Sequence, residues 1–146
     1  MSLDTTTFEG KPVQYPDGNP KTRYGLAKVP MHLFPASARI MGALAFKDGA
    51  RKYGPYNWRE SGVTASVYVA ALQRHLDAWF DGENVAQDSG VHPLGHVIAC
   101  AAIIIDAAQC GQLNDDRPPT GNASMMHQLF MESFPAPATK GDPENV

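Results

Sequence analysis

The sequence is poor in cysteine and in charged residues. Its only cysteines, Cys100 and Cys110, fit neither a disulfide framework nor the ligand spacing of a structural zinc site. Charged residues make up 18% of the chain against 43% apolar residues, so we expect a partner subunit to cover part of the surface. The net charge of −3 argues against sequence-independent binding to DNA or RNA. The composition predicts a globular oligomer that does not bind nucleic acid.

The sequence also lacks a secretory signal peptide and any apolar run of about 18 residues. These two absences predict a cytoplasmic protein without a membrane partner. No internal repeat and no convincing alternation of apolar and polar residues occurs, so we expect no strands. With 146 residues, the chain has room for one all-α domain.

Three segments of the chain differ in composition. Residues 1–34 are rich in proline and glycine and predict an extended arm without regular structure. Residues 35–114 carry the apolar patterns and predict a helical core. Residues 115–146 begin with polar residues and prolines, and they predict a linker, a short helix over residues 124–134 and a flexible tail.

Helical periodicity predicts three helices in the core. The first begins near Pro35, since proline suits the first helical turn, and runs toward residue 49. The second covers residues 63–81 and has an apolar stripe at helical spacing. The third covers residues 92–109 and is followed by Gly111, which suits a helix end. Because the third helix is apolar nearly all round, we expect it to be buried against helices of the same or a second chain.

A loop is predicted over residues 49–59 from its glycines and proline, and it is unusually rich in cations and aromatic residues. Cations and amides could bind a triphosphate, while Tyr53 or Trp58 could stack on a base. An equally good interpretation is that Arg51 and Lys52 are solvated at a helix C-terminus, where the helix dipole favours cations. The candidate substrate contacts in and near this loop are Arg51, Lys52, Asn57, Trp58, Arg59 and Arg74.

The end of the second helix supplies candidate catalytic groups. If the helix continues through Gly82, Glu83 falls in the middle of its apolar face, and an inward carboxylate needs a partner. Asp77 and Asp81 fall on the solvated face. His75 lies on the flank of the apolar face, where it could be a structural histidine or could reach a ligand.

The third helix carries a stripe that contains His92, His96 and Asp106. Two imidazoles one turn apart could bind one divalent ion or contact one phosphate, and they could also be hydrogen-bonded core histidines. Asp106 marks the far end of this site or makes a polar contact between subunits. Helical bundles bind hard divalent cations with carboxylates and histidines that converge from facing helices, and Glu83 and Asp88 are close in sequence to the histidines.

Three blocks in the right order resemble the phage dATP/dGTP pyrophosphohydrolase family. The first is ARKYG followed by NWR within residues 50–59, the second is RHL-x-AW-x-x-GE over residues 74–83, and the third is SG-x-H-x-L-x-H over residues 89–96. The resemblance covers roughly residues 20–110. That family looks like a divergent branch of the MazG-like all-α nucleotide pyrophosphohydrolases, which implies a helical bundle completed by oligomerisation.

The resemblance implies an activity and a set of site residues. The activity is hydrolysis of a purine deoxynucleoside triphosphate, dGTP or dATP, to the monophosphate and pyrophosphate with Mg²⁺ or Mn²⁺. It also implies a homodimer or homotetramer, in the host cytoplasm if a phage encodes the chain. We predict Glu83 and His75 as catalytic residues, Glu83, Asp88 and His96 as metal ligands, and His92 as a further substrate contact. The chain departs from the MazG-like pattern because Pro93-Leu94-Gly95-His96 stands where Glu-x-x-Asp is usual.

Two other functions are compatible with these residues. A nucleotide-binding or interaction module could keep the fold without turnover, since some acids usual in the family are missing. A triphosphohydrolase of the His-Asp type is less favoured because no adjacent His-Asp pair occurs. The sequence does not choose between dGTP and dATP.

Overall fold

A computed structural model of the chain describes residues 18–133. The chain divides into two compact units, Met1–Arg39 and Ile40–Val146. The predicted flexible tail and the first half of the predicted N-terminal arm lie outside the described residues. Within residues 18–133, no helix is long and apolar enough to cross a membrane.

The first unit contains short helical segments. Helix α1 spans Pro20–Leu26, and a 3-10 helix spans Met31–Leu33. The side chain of Asn19 caps α1 by accepting a hydrogen bond from the Lys21 amide, and Pro20 suits the first turn. The prediction that residues 1–34 have no regular structure is therefore wrong for these two segments.

The remaining described residues are mainly helical, so the predicted all-α class is confirmed. The helices are α2 (Ala36–Tyr53), α3 (Asn57–Ser61), α4 (Ala65–Phe80), α5 (Pro93–Gln109) and α6 (Ala123–Ser133). Two strands of two residues each, β1 (Val63–Thr64) and β2 (Leu113–Asn114), pair in parallel. The prediction of no strands is wrong to this small extent.

The predicted loop over residues 49–59 is helical at both of its ends. Helix α2 continues to Tyr53, and α3 begins at Asn57, which leaves a turn of three residues. The last turn of α2 is supported by ion pairs between Asp48 and the cations three and four residues later, Arg51 and Lys52. Gly54 has a φ of +88°, which ends α2 there. The predicted loop is therefore limited to residues 54–56, and the prediction is wrong for the helical residues on either side.

Helix α5 packs against α4 and crosses α2 with backbones close together. A Cβ atom on Gly95 would lie 2.5 Å from the Met41 carbonyl oxygen, so α5 can approach α2 only because this residue is glycine. One on Gly42 would lie 2.9 Å from Cγ2 of Ile98. One face of α5 is thus matched to α2. Ile105 is 65% exposed in the single chain, so burial of α5 all round would need a second chain and stays a prediction.

Candidate functional site

The second unit contains a cavity of about 430 Å³. Ligand sites for small molecules have volumes of roughly 300–1,000 Å³. Side chains of α2, α3, α4 and α5 and of the turn before α5 line this cavity. Its polar lining residues are Asp48, Lys52, Asn57, Tyr68, His75, Asp88, His96 and Cys100, and its large apolar lining residues include Phe46, Tyr53, Trp58, Val67 and Ile103.

Among the described residues, Asp48 is the one charged residue that is buried, with 8% of its surface exposed. Its carboxylate accepts hydrogen bonds from Arg51 at 2.8 Å and pairs with Lys52 Nζ at 2.7 Å. The bond from Lys52, followed by that from Arg51, holds the pKa of Asp48 below its ordinary value. Asp48 is not among the site residues predicted from the sequence. The signal was present, because an acid followed three and four residues later by cations forms pairs on one helix face.

Lys52 lies between two carboxylates of the cavity. Its ammonium group is 2.7 Å from the Asp48 carboxylate and 3.6 Å from that of Asp88. The bond to Asp48 raises the pKa of Lys52, so the group remains a cation at neutral pH. The neighbouring Arg51 does not line the cavity, and its side chain is 71% exposed. Of the two predicted phosphate contacts in this turn, the structure therefore directs only Lys52 into the cavity.

Two histidine rings stack in the wall of the cavity. His75 from α4 and His96 from α5 have ring centroids 4.5 Å apart and an interplanar angle of 15°. His96 Nε2 is hydrogen-bonded to the Ser89 hydroxyl at 2.7 Å. Burial lowers the pKa of both histidines, and the neighbouring His96 lowers that of His75 further. Both imidazoles are therefore neutral at neutral pH, and a neutral imidazole can accept a proton from water.

An aromatic corner closes the cavity on another side. We use this name for Phe46, Tyr56, Trp58, Arg59 and Asp106. The Trp58 ring lies 5.4 Å from the Phe46 ring and 5.4 Å from the Tyr56 ring, and the Arg59 guanidinium lies over the Tyr56 ring at 5.2 Å. These contacts pack the α2–α3 turn and α3 against Phe46 of α2.

Asp106 joins the aromatic corner through three hydrogen bonds. It accepts one from Trp58 Nε1 at 2.6 Å, one from Arg59 Nε at 2.7 Å and one from Arg59 Nη2 at 2.8 Å. The bonds from Arg59 and then Trp58 lower the pKa of Asp106 to about 2. Residues of the same chain therefore contact both carboxylate oxygens of Asp106, and the two predicted alternatives, the far end of the site or a contact between subunits, stay predictions.

Glu83 does not face the core, and this sequence prediction is wrong. Helix α4 ends at Phe80, and Gly82 adopts a φ of +106°. The amides of Gly82 and Glu83 then donate hydrogen bonds to the carbonyls of Trp79 and Ala78, which is the Schellman pattern of a helix end. Because the chain leaves the helix at Gly82, the helical register does not reach Glu83, which is exposed and does not line the cavity.

The predicted metal ligands are brought together only in part. Asp88 and His96 line the cavity, whereas Glu83 does not. Across residues 18–133, no group of three or more histidine, cysteine, aspartate or glutamate side chains is arranged to hold a metal ion. Mg²⁺ is usually bound by one or two carboxylates, several waters and the phosphates of a substrate. The carboxylates of Asp48 and Asp88, on either side of Lys52, suit an ion that binds together with a triphosphate.

The remaining predicted contacts divide between the cavity and its surroundings. Asn57 and Trp58 line the cavity, whereas Arg59, Arg74 and His92 do not. His92 caps α5, because its Nδ1 accepts a hydrogen bond from the Leu94 amide. The predicted substrate contacts of Asn57, Trp58, Arg59, Arg74 and His92 are not tested by these positions and stay predictions.

Comparison with known proteins identifies the family. The family model described as dATP/dGTP diphosphohydrolase, N-terminal, matches residues 18–117, a range that includes the whole cavity and the aromatic corner. No curated protein and no solved structure matches the chain. The match confirms the family resemblance of the three sequence blocks, and the family name indicates a diphosphohydrolase of dATP and dGTP. The chain belongs to the dATP/dGTP diphosphohydrolase family.

Proposed function

We propose that the chain hydrolyses dGTP, dATP or both to the deoxynucleoside monophosphate and pyrophosphate, with Mg²⁺ or Mn²⁺. The observation that carries the proposal is the cavity of the second unit. It combines a lysine between two carboxylates, a pair of neutral histidines and an aromatic wall in about 430 Å³. A purine nucleoside triphosphate needs all three kinds of contact, namely cations for phosphate, a proton acceptor for water and a flat apolar surface for the base.

Lys52 is the proposed triphosphate contact. Its bond to Asp48 is short and its distance to Asp88 is longer, at 3.6 Å, while the Asp88 side chain is 70% exposed. An exposed ion pair of this kind contributes little to the stability of the fold. A phosphate oxygen can therefore replace Asp88 beside the ammonium group at a small cost in free energy. Asp88 then becomes free to bind a cation that accompanies the triphosphate.

Asp48 and Asp88 would hold the metal ion, with His96 as a further donor in the same wall. A bound Mg²⁺ or Mn²⁺ supplies a Lewis acid that polarises phosphoryl oxygens and lowers the pKa of an attacking water. Asp48 keeps its carboxylate ionised through its bonds to Lys52 and Arg51, so it is available as an anionic ligand at neutral pH.

His75 is the proposed proton acceptor. It is neutral because burial and the neighbouring His96 lower its pKa. In the proposed reaction the oxygen of a water forms a bond to the α-phosphorus, the bond from that phosphorus to the bridging oxygen breaks, and pyrophosphate leaves. His75 takes the proton from the water, while its stack on His96 fixes the plane of its ring.

The apolar surface of the second unit supports the proposal of a homodimer or homotetramer. Large side chains on one face of α4 are exposed in the single chain, namely Val69, Leu76, Trp79 and Phe80. A contiguous patch of such residues is unusual on a monomer and typical of a subunit interface. We further propose that the enzyme acts in the cytoplasm, that of the host if the gene is a phage gene, without nucleic acid as a partner.

Product analysis tests the proposed function. Purified chain is incubated with dGTP or dATP and either Mg²⁺ or Mn²⁺, and the products are separated by ion-exchange chromatography. We expect equal amounts of deoxynucleoside monophosphate and pyrophosphate, and we expect the variant Asp48→Asn, purified in parallel, to remove the activity and so exclude a contaminating phosphatase. Nucleotide binding with neither product under any of these conditions would contradict the proposal and favour a binding module. Release of free triphosphate would indicate a different hydrolase class.

A further inference from the structure

Asp106 contacts a residue of the cavity wall from outside the cavity. Its carboxylate accepts a hydrogen bond from Trp58 Nε1 at 2.6 Å across 48 residues of sequence, and two bonds from Arg59 across 47 residues. Trp58 lines the cavity, whereas Arg59 and Asp106 do not. The side chain of Asp106 is therefore connected to the cavity lining through Trp58.

The Trp58 ring is fixed at several points. Its Nε1 is bonded to Asp106, and Phe46 and Tyr56 contact it with centroid distances of 5.4 Å each. Arg59 completes the arrangement, because its guanidinium is held by both oxygens of Asp106 and lies over the Tyr56 ring. A ring with one bonded edge and two packed neighbours is preorganised, so a ligand that stacks on it pays little ordering entropy.

Another aspartate–arginine pair, Asp115 and Arg117, resembles the Asp106–Arg59 pair but, within the described residues, has no hydrogen bond to the cavity lining. Asp115 accepts two hydrogen bonds from the guanidinium of Arg117, at 2.7 and 2.6 Å, and these bonds lower its pKa to about 2 as well. The two residues are two positions apart in sequence, and neither lines the cavity. The Asp115–Arg117 pair is therefore a matched control for the Asp106–Arg59 pair, which differs in its bond to Trp58.

We propose that Asp106 is a positioning residue for the purine base, because it fixes the Trp58 indole as the surface on which the base stacks. This inference rests on the proposed function for the identity of the ligand. Removal of the carboxylate leaves the charged side of the cavity in place, since the ion pairs that join Lys52 to Asp48 and Asp88 do not involve the aromatic corner. Loss of Asp106 is therefore expected to weaken binding of the base and to spare binding of the phosphates.

The experiment compares Asp106→Ala with Asp115→Ala against a nucleotide and against a ligand without a base. For dGTP hydrolysis we expect Asp106→Ala to raise KM about tenfold, the effect of losing one base-stacking surface, with kcat within about twofold. Inhibition by inorganic triphosphate, which has no base, is expected to change less than about twofold. Asp115→Ala should leave all three values as in the parent. An unchanged KM for dGTP, or an equal weakening of dGTP and inorganic triphosphate, would overturn the proposal.

A measurement on the free protein shows whether Trp58 itself moves. In a Trp79→Phe background, Trp58 is the remaining tryptophan, and acrylamide quenching of its fluorescence reports its exposure. We expect stronger quenching in Asp106→Ala and an intermediate value in Asp106→Asn, which keeps one acceptor oxygen. Asp106→Asn also keeps the proposal testable if the alanine variant does not fold. Quenching that is the same in all three proteins would overturn the proposed positioning.

Binding measurements separate this inference from the proposed function. If the parent protein forms no pyrophosphate, the proposed hydrolysis fails, but calorimetric titration with dGTP and with inorganic triphosphate still tests Asp106. Weaker binding of dGTP alone in Asp106→Ala supports the positioning role in that case. Equal dGTP affinity in parent and variant contradicts it.

Discussion

The charged side of the cavity and its aromatic corner are held by contacts of very different range. Lys52 pairs with Asp48 four residues away on the same helix and, at 3.6 Å, with the exposed carboxylate of Asp88. Trp58 and Arg59 are instead bonded to Asp106 across 48 and 47 residues. We therefore propose that the charged side exchanges a partner when an anion binds, whereas the aromatic corner presents a fixed surface.

This difference fits the two parts of a nucleoside triphosphate. The phosphates bring metal ions and waters with them, so their site benefits from carboxylates and a lysine that can regroup. A base has no such companions, and its binding gains from a rigid ring that is already in position. Substitutions on the charged side and in the aromatic corner should therefore differ in their effects on phosphate and on base.

Removal of the buried carboxylate should affect the charged side most. We expect Asp48→Asn to lower kcat/KM for dGTP by at least about 100-fold, since it removes a proposed metal ligand and the partner of Lys52. The exposed Asp77 on α4 provides the control, and Asp77→Asn should stay within about twofold of the parent. Pyrophosphate release gives the rates, and circular dichroism checks folding. A loss below threefold in a folded Asp48→Asn protein would remove Asp48 from the site.

The two cations that pair with Asp48 should differ in effect. Lys52 lines the cavity and Arg51 does not, although both bond to the same carboxylate. We expect Lys52→Met to raise KM for dGTP about tenfold or more and to weaken inhibition by inorganic triphosphate equally. Arg51→Met should change KM less than about threefold. Equal effects of the two substitutions would show that the ion pairs act through the stability of α2 and not through phosphate.

Two acids of the loop between α4 and α5 test whether the site follows the sequence prediction or the structure. Asp88 lines the cavity, and Glu83 is exposed outside it. We expect Asp88→Asn to lower kcat/KM about tenfold and to raise the Mn²⁺ concentration needed for half activity, as loss of a carboxylate ligand does. Glu83→Gln is expected to cost less than about threefold. A larger loss of kcat/KM in Glu83→Gln than in Asp88→Asn would support Glu83 as the catalytic carboxylate and would exclude Asp88 as a metal ligand.

The smallest expected effect concerns the stability of the aromatic corner in acid. The pKa of Asp106 is lowered to about 2 in the folded chain from its ordinary value of 3.8. A group with a lowered folded pKa stabilises the fold fully above its unfolded pKa and loses this contribution as the pH falls through the folded pKa. We therefore expect Asp106→Asn to melt roughly 2 °C below the parent at pH 7, with the gap closing between about pH 4 and pH 2. A gap that stays constant over this range would contradict the ionised pair.

The helices of the core could be predicted from periodicity, but not all of their ends. The predicted second and third helices agree with α4 and α5 to within two residues at each end. Gly111, with a φ of +69°, follows α5 as expected for a helix end. Helix α2 extends beyond its predicted end, and the pairs of Asp48 with two cations support its last turn, a contribution that a count of glycines and prolines does not include.

The site residues that belong to the three sequence blocks could be predicted from the sequence. The blocks at residues 50–59, 74–83 and 89–96 directed attention to Lys52, Trp58, His75 and other residues that line the cavity. Asp48 was missed because its spacing to Arg51 and Lys52 indicates only ion pairs on one helix face, whereas its burial is visible only in the structure.

Two features of the site depend on geometry that one sequence does not contain. Glu83 was misplaced because Gly82 was assumed to continue the helix, whereas it adopts a left-handed conformation. The bond from Trp58 to Asp106 spans 48 residues, and periodicity relates only residues within one helix.

A crystal structure of the chain with Mn²⁺ and a non-hydrolysable α,β-imido analogue of dGTP is the most direct measurement of the central claim. The account predicts a triphosphate beside Lys52, metal ions on Asp48 and Asp88, and the guanine ring stacked on Trp58. A nucleotide bound outside this cavity, or one with its base beside Lys52 and its phosphates in the aromatic corner, would contradict it.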